Sequence, residues 1–98
     1  MPLIPTTHSM FFKMLSAGTR VQILKLLRGH DDLTVDDLAS HLEVTVPTVS
    51  RHLQLLRMQN LVTFNQDAQT RYYRVNEEEI VRRVTAFLQD LDITLPDG

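Results

Sequence analysis

The stretch Thr45-Val46-Pro47-Thr48-Val49-Ser50-Arg51-His52-Leu53-Gln54-Leu55-Leu56-Arg57 decides how this chain is read. At about 100° per residue, Val49, Leu53 and Leu56 fall on one narrow stripe, the spacing of a helix of about 13 residues that buries one side. Opposite that stripe stand Pro47, Thr48, Arg51 and Gln54, with Ser50 on the flank. Hydroxyls in a first turn followed by Arg and Gln are side chains suited to base edges and phosphates. Alone, the pattern also fits an ordinary surface helix, whose outer face is polar. The flanking segments separate the two readings.

Upstream, Thr34 starts another helix, and Asp37 three residues on makes an approximate capping box. Leu38, Ala39 and Leu42 face inward from it. Only Glu43 and Val44 part this helix from the one above, so the two must cross sharply, as in a helix-turn-helix over residues 34–58. Pro47 suits a first helical turn, where a missing N–H costs nothing. Before it, the polar turn His30-Asp31-Asp32-Leu33 follows a helix over residues 20–28, capped by Gly18 or Thr19 and closed by Gly29. Val21, Leu24 and Leu27, with Ile23, form its buried stripe.

Downstream, Asn60 closes the deciding helix and the periodicity changes. Leu61-Val62-Thr63-Phe64 and Thr70-Arg71-Tyr72-Tyr73-Arg74-Val75 are β-branched and aromatic, with a turn over residues 65–69 between them. This predicts a hairpin wing over residues 61–75, which must pack on the helices to be stable. Asn76 caps a last helix, with Glu77, Glu78 and Glu79 at its positive end. Residues 1–7 read as a loose arm and residues 8–15 as a short helix. The expected fold is mainly α with a small β-hairpin: a winged helix-turn-helix with an added helix at each end, one domain over residues 1–98.

The terminal helices carry more apolar surface than one subunit needs. Met10, Phe11 and Met14 share a face of the first, and Ile80, Val84, Phe87, Leu88 and Leu91 run down the last. Residues 8–15 and 77–93 are therefore expected to bury these side chains against a second copy, as two-fold dimers do.

The 98 residues are 43% hydrophobic and 22% charged, a globular balance. There is no cysteine, which excludes disulfides and thiolate metal sites. No apolar run approaches the roughly 20 residues that span a bilayer, and Met1-Pro2-Leu3-Ile4-Pro5 is too short and proline-broken for a signal peptide. The expectation is a cytoplasmic protein without a membrane partner. The net charge is −2, but residues 44–76 hold four arginines against Asp67 alone, while acids gather at residues 31–37, 77–79 and 90–97. A basic segment on an acidic body is what a groove-facing surface needs.

Three stretches in this order resemble the ArsR/SmtB family of winged-helix repressors. Residues 12–27 look like that family's entry into its second helix, Val46-Pro47-Thr48-Val49-Ser50-Arg51-His52-Leu53-Gln54-Leu55-Leu56-Arg57 like its recognition helix, and Thr70-Arg71-Tyr72-Tyr73-Arg74-Val75 like its second wing strand. The resemblance implies a homodimer that represses transcription until an effector binds. It also implies DNA contacts from Val46, Pro47, Thr48, Ser50, Arg51 and Arg71. Two departures stand out: Glu43 and Asp67-Ala68 occupy turns where the family often has Gly. A left-handed non-Gly residue costs about 1–2 kcal/mol, so another turn conformation is expected here. The family's Leu-Cys-Val-Cys-Asp-Leu metal pattern is replaced by Leu33-Thr34-Val35-Asp36-Asp37-Leu38, and residues 77–93 contain no histidine.

The residues expected to meet double-stranded DNA are Thr45, Val46, Pro47, Thr48, Ser50, Arg51, Gln54, Arg71 and Arg74. Arg82 and Arg83 are expected to be a solvated face. His8, His30, His41 and His52 are scattered, without the i, i+4 spacing of a zinc site, so no metal or other cofactor is expected; His30 beside Asp31 and Asp32 could at most hold a nickel-like ion. No phosphate loop or nucleophile arrangement suggests an enzyme. The rival reading is a winged helix that docks proteins and not DNA.

Overall fold

The computed structural model describes residues 6–96. The elements are α1 (Thr6–Leu15), α2 (Gly18–Gly29), α3 (Val35–Leu42), α4 (Val46–Met58), β1 (Val62–Asp67), β2 (Thr70–Val75) and α5 (Glu77–Asp90). This is the expected mainly helical fold with one antiparallel hairpin. Residues 1–5 of the expected arm lie outside the described residues. The last two residues of that arm, Thr6 and Thr7, belong to α1.

A cluster of Phe11, Ile23, Leu27, Leu38, Val49, Leu53, Leu56, Leu61 and Val62, each at most 2% exposed, joins α1 to α4 and the hairpin. Phe11 is 1% exposed and Met14 5%, so both serve their own subunit's core and have no surface left for a second copy. That corrects their assignment to a dimer face. Among the described residues, the exposed large apolar side chains of α1 are Met10 and Phe12.

Helix ends follow from local chemistry. Thr34 and Asp37 form a full capping box: the Asp37 N–H donates to Thr34 Oγ1 (3.1 Å) and the Thr34 N–H to the Asp37 carboxylate (3.0 Å). Thr45 caps α4, and Asn76 caps α5 by accepting from the Glu79 N–H. α2 differs from expectation. It starts two residues earlier, behind Ala17, with no side-chain cap, and its end is His30 in extended backbone, so Gly29 is ordinary helix. The corner before it is secured by Arg20, whose guanidinium donates to the terminal carbonyls of α1 at Met14 and Lys13.

The turn between α3 and α4 keeps the left-handed conformation despite lacking Gly. Glu43 sits at φ 56°, ψ 40°, and the Val44 N–H closes back on Ala39 O. The expectation of a different turn is overturned, because that closing bond and the sharp crossing both require the reversal at this residue. Asn60 does the same after α4 (φ 60°), where Leu61 bonds back to Leu56 and Asn60 to Arg57.

The hairpin is longer than its apolar pattern suggested. Asn65, Gln66 and Asp67 pair with Tyr72, Arg71 and Thr70, so the turn shrinks to Ala68 and Gln69, with Ala68 at φ 56°. Residues 65–67 are exposed, so no alternation marks them as strand. Tyr73 donates its N–H to Leu33 O at 2.8 Å, tying the wing to the α2–α3 loop.

α5 is locked to the end of α4. The Asn76 side chain donates to Asn60 O, and Arg83 Nη2 to Gln59 O at 2.9 Å. Glu79, 8% exposed, accepts from Arg82 and Arg83. Arg82 is solvated, as expected. Arg83 is not: it is pulled inside by Glu79 and the free carbonyl at the end of α4. Ile80 packs on the core, Phe87 and Leu88 are half-buried, and Val84 and Leu91 are exposed.

Candidate nucleic-acid interface

α4 presents one side to the core and one to solvent. Val49, Leu53 and Leu56 are fully buried, while Thr45, Val46, Pro47, Ser50, Arg51 and Gln54 are exposed and Thr48 is half-buried. Pro47 fits the first turn, where its ring replaces an N–H that no helical carbonyl would accept. The hydroxyls of Thr45 and Thr48 lie 2.8 Å apart and share one hydrogen bond, which fixes their orientation at the helix start.

The arginines divide into two groups. Arg28 pairs with Glu77, Arg74 with Asp32, and Arg82 and Arg83 with Glu79, while Arg20 is spent on carbonyls. Arg51, Arg57 and Arg71 have no carboxylate partner among the described residues. All three lie on α4 or the wing. A surface that keeps its guanidiniums unpaired, on a chain with more acids than bases, is arranged to meet an external anion.

Arg57 was not among the residues expected to touch DNA. It completes the i, i+4, i+7 row Ser50, Gln54, Arg57 on the outer face, a periodicity that could have found it. Arg57 and Arg71 both lie over the ring of Phe64, at 4.5 and 4.4 Å from its centroid. Ser50, Gln54, Arg57, Arg71 and Tyr73 line a cleft of about 270 Å³ between α4 and the wing. Arg74 points elsewhere: its 3.0 Å bond to Asp32 holds it on the α2–α3 loop, so the structure does not bring it to this surface.

The comparisons with known proteins agree with one another. The family model "Bacterial regulatory protein, arsR family" matches residues 18–63. The transcriptional repressor SdpR of Bacillus subtilis (strain 168) is 37% identical over 65 residues, 66% of this chain and 71% of SdpR. The chain belongs to the arsR family. The HTH-type transcriptional regulator KmtR of Mycobacterium tuberculosis (strain ATCC 25618 / H37Rv) is 39% identical over 69 residues, 70% of this chain, which spans about half (52%) of KmtR. The crystal structure of NolR from Sinorhizobium fredii superposes with a TM-score of 0.70 at 28% identity, covering 96% of this chain and 99% of that one. The protein is thus a DNA-binding transcription regulator with a winged helix, and nothing in these matches favours a protein-docking module.

Placed in this arsR-family chain, the histidines take separate roles. His52, on α4, is half-buried with Nδ1 3.4 Å from Arg20. Burial first, then the charges of Arg20 and Arg51, hold its pKa below the ordinary imidazole value. His8 lies against Asp90 of α5 and the ring of Phe87, a pairing over 82 positions that no local spacing reveals. His30 and His41 stack at 5.9 Å. Among the described residues, no three His, Asp or Glu side chains are grouped to hold a metal ion. No described helix is long and apolar enough to cross a membrane.

Proposed function

We propose that this arsR-family chain is a homodimeric repressor whose two α4 helices enter successive major grooves of an operator. The trio Arg51, Arg57 and Arg71, left without carboxylates on a net acidic chain, is the observation that carries this reading. Thr45, Val46, Pro47, Thr48, Ser50, Arg51 and Gln54 face the groove, and Arg71 of the wing meets the backbone. Arg74, held by Asp32, is left out. Val81, Val84, Leu91, Ile93 and Leu95 are exposed along α5 and the segment after it, and with Met10 and Phe12 they form the face buried by the second copy.

The protein works in the cytoplasm and carries no catalytic activity of its own. Two helices must fit at once, so an effector that changes the angle between subunits releases the DNA. The test is to incubate the purified protein with sheared DNA from its own genome and sequence what is retained. Near-palindromic fragments with half-sites about 34–36 Å apart are expected. Retention of no fragment at low salt would replace this reading with a protein-docking role.

A further inference from the structure

The geometry points to a clamp for one backbone phosphate of duplex DNA, built by Arg57 and Arg71 on the ring of Phe64 with Ser50 and Gln54 beside them. It rests on the DNA-binding reading above and adds to it a ligand, a residue outside the DNA contacts that the resemblance implies and a reason for Phe64. Each guanidinium carbon lies within 4.5 Å of the Phe64 centroid, so the two charges are at most about 9 Å apart and repel each other. Among the described residues no carboxylate forms an ion pair with either. An anion in the cleft between them would relieve that repulsion.

The lining selects the kind of anion. Arg57 and Arg71 offer only donors, in the planar fork that matches phosphate oxygens, and Ser50 and Gln54 can add one donor each. The cleft of about 270 Å³ takes a phosphate with several waters. Ser50, Gln54 and Arg57 line it from α4 and Arg71 and Tyr73 from β2, so a phosphate held there is gripped by helix and wing together. That contact fixes how deeply α4 sits in the groove. Phe64, half-buried, holds both side chains against its ring before DNA arrives, which lowers the entropy lost on binding.

The test is the affinity of the full chain for a random-sequence duplex over a range of salt. Arg57→Gln is expected to weaken low-salt binding about tenfold and to flatten the log–log salt dependence by about 0.9 per subunit. Phe64→Leu keeps both charges, so binding falls about threefold with the slope retained, and Phe64→Tyr restores it. Arg28→Gln, the same charge change on α2, leaves affinity and slope as they were. Because Arg57 is exposed, its variant remains decisive even if Phe64→Leu fails to fold, as circular dichroism reports. An unchanged Arg57→Gln slope while Arg51→Ala still weakens binding overturns the clamp and leaves the DNA reading standing. Absence of duplex binding by the unaltered chain overturns both. A saturable thermal stabilisation by inorganic phosphate, lost in Arg57→Gln while duplex binding is unchanged, overturns the clamp in favour of a small-anion site.

Discussion

Arg51 and His52 are neighbours on α4 with opposite tasks, and each can be tested alone. Arg51 is exposed and unpaired, so Arg51→Ala removes no internal contact. Its expected cost is about 1–3 kcal/mol in affinity for the retained operator, with the melting temperature unchanged, read by fluorescence anisotropy and thermal denaturation. An unaltered affinity would mean that α4 does not read DNA. His52 concerns stability. Its folded pKa is depressed by burial and by Arg20 and Arg51, so the unfolded chain binds a proton more readily than the folded one. Its contribution is complete above the ordinary imidazole value of 6.5 and is lost as pH falls below it and through the depressed folded value. The melting temperature should therefore decline between pH 7.5 and 5.5, and His52→Gln should flatten that decline. The carboxyl of Glu79 is also depressed, by hydrogen bonds from Arg82 first and then Arg83. It acts at lower pH, being lost only as the medium falls below the ordinary glutamate value of 4.5. The two groups therefore separate along the pH axis.

The turns show why some elements could be read from the chain and others could not. Thr34 with Asp37, and Asn76 before three glutamates, carry their caps in local sequence, so α3 and α5 were legible to within a residue at their starts. The stripe Val49, Leu53, Leu56 placed α4 for the same reason. Contacts between distant residues left no such mark. Arg83 reaches Gln59 across 24 positions, and Arg57 and Arg71 share the Phe64 ring only once the hairpin has packed on α4. The exposed, polar end of the hairpin looked like loop because neither face of residues 65–67 is buried. Glu43 carries a further lesson: family likeness located the turn, but the inference from its non-Gly side chain was wrong, because the fold imposes the left-handed residue regardless. That strain is measurable. Glu43→Gly removes a penalty of about 1–2 kcal/mol and adds back some unfolded-state entropy, for a net gain of about 0.5–1 kcal/mol. In a domain of this size the melting temperature should rise by roughly 2–8 °C. A fall would show that Glu43 makes a compensating contact.

A radius of gyration of 15.1 Å and extents of 46 × 34 × 25 Å describe a long molecule, against about 13 Å for a compact chain near 100 residues. The surplus length is not matched by polar surface. Val81 and Val84, at 62% and 36% exposure, lie one turn apart on α5, and Leu91, Ile93 and Leu95 extend the apolar strip beyond its end. Phe12 stands against Phe87 at 4.7 Å, so α1 borders the same strip. Burying this face against its own copy would remove the strip from water and set the two α4 helices in fixed relation, since Arg83 and Asn76 bind α5 to the residues that close α4. Val84→Asp tests that dependence. The side chain is at the edge of exposure within one subunit, so the variant should fold, with its helical circular dichroism preserved. Two carboxylates brought together in a two-fold interface are destabilising, so sedimentation should find monomers where the unaltered chain gives dimers. Operator affinity should then fall at least a hundredfold, because the second half-site is no longer reached intramolecularly. A Val84→Asp dimer with full operator affinity would move the interface away from α5, and the coupling of α5 to α4 would then serve only the stability of the single subunit.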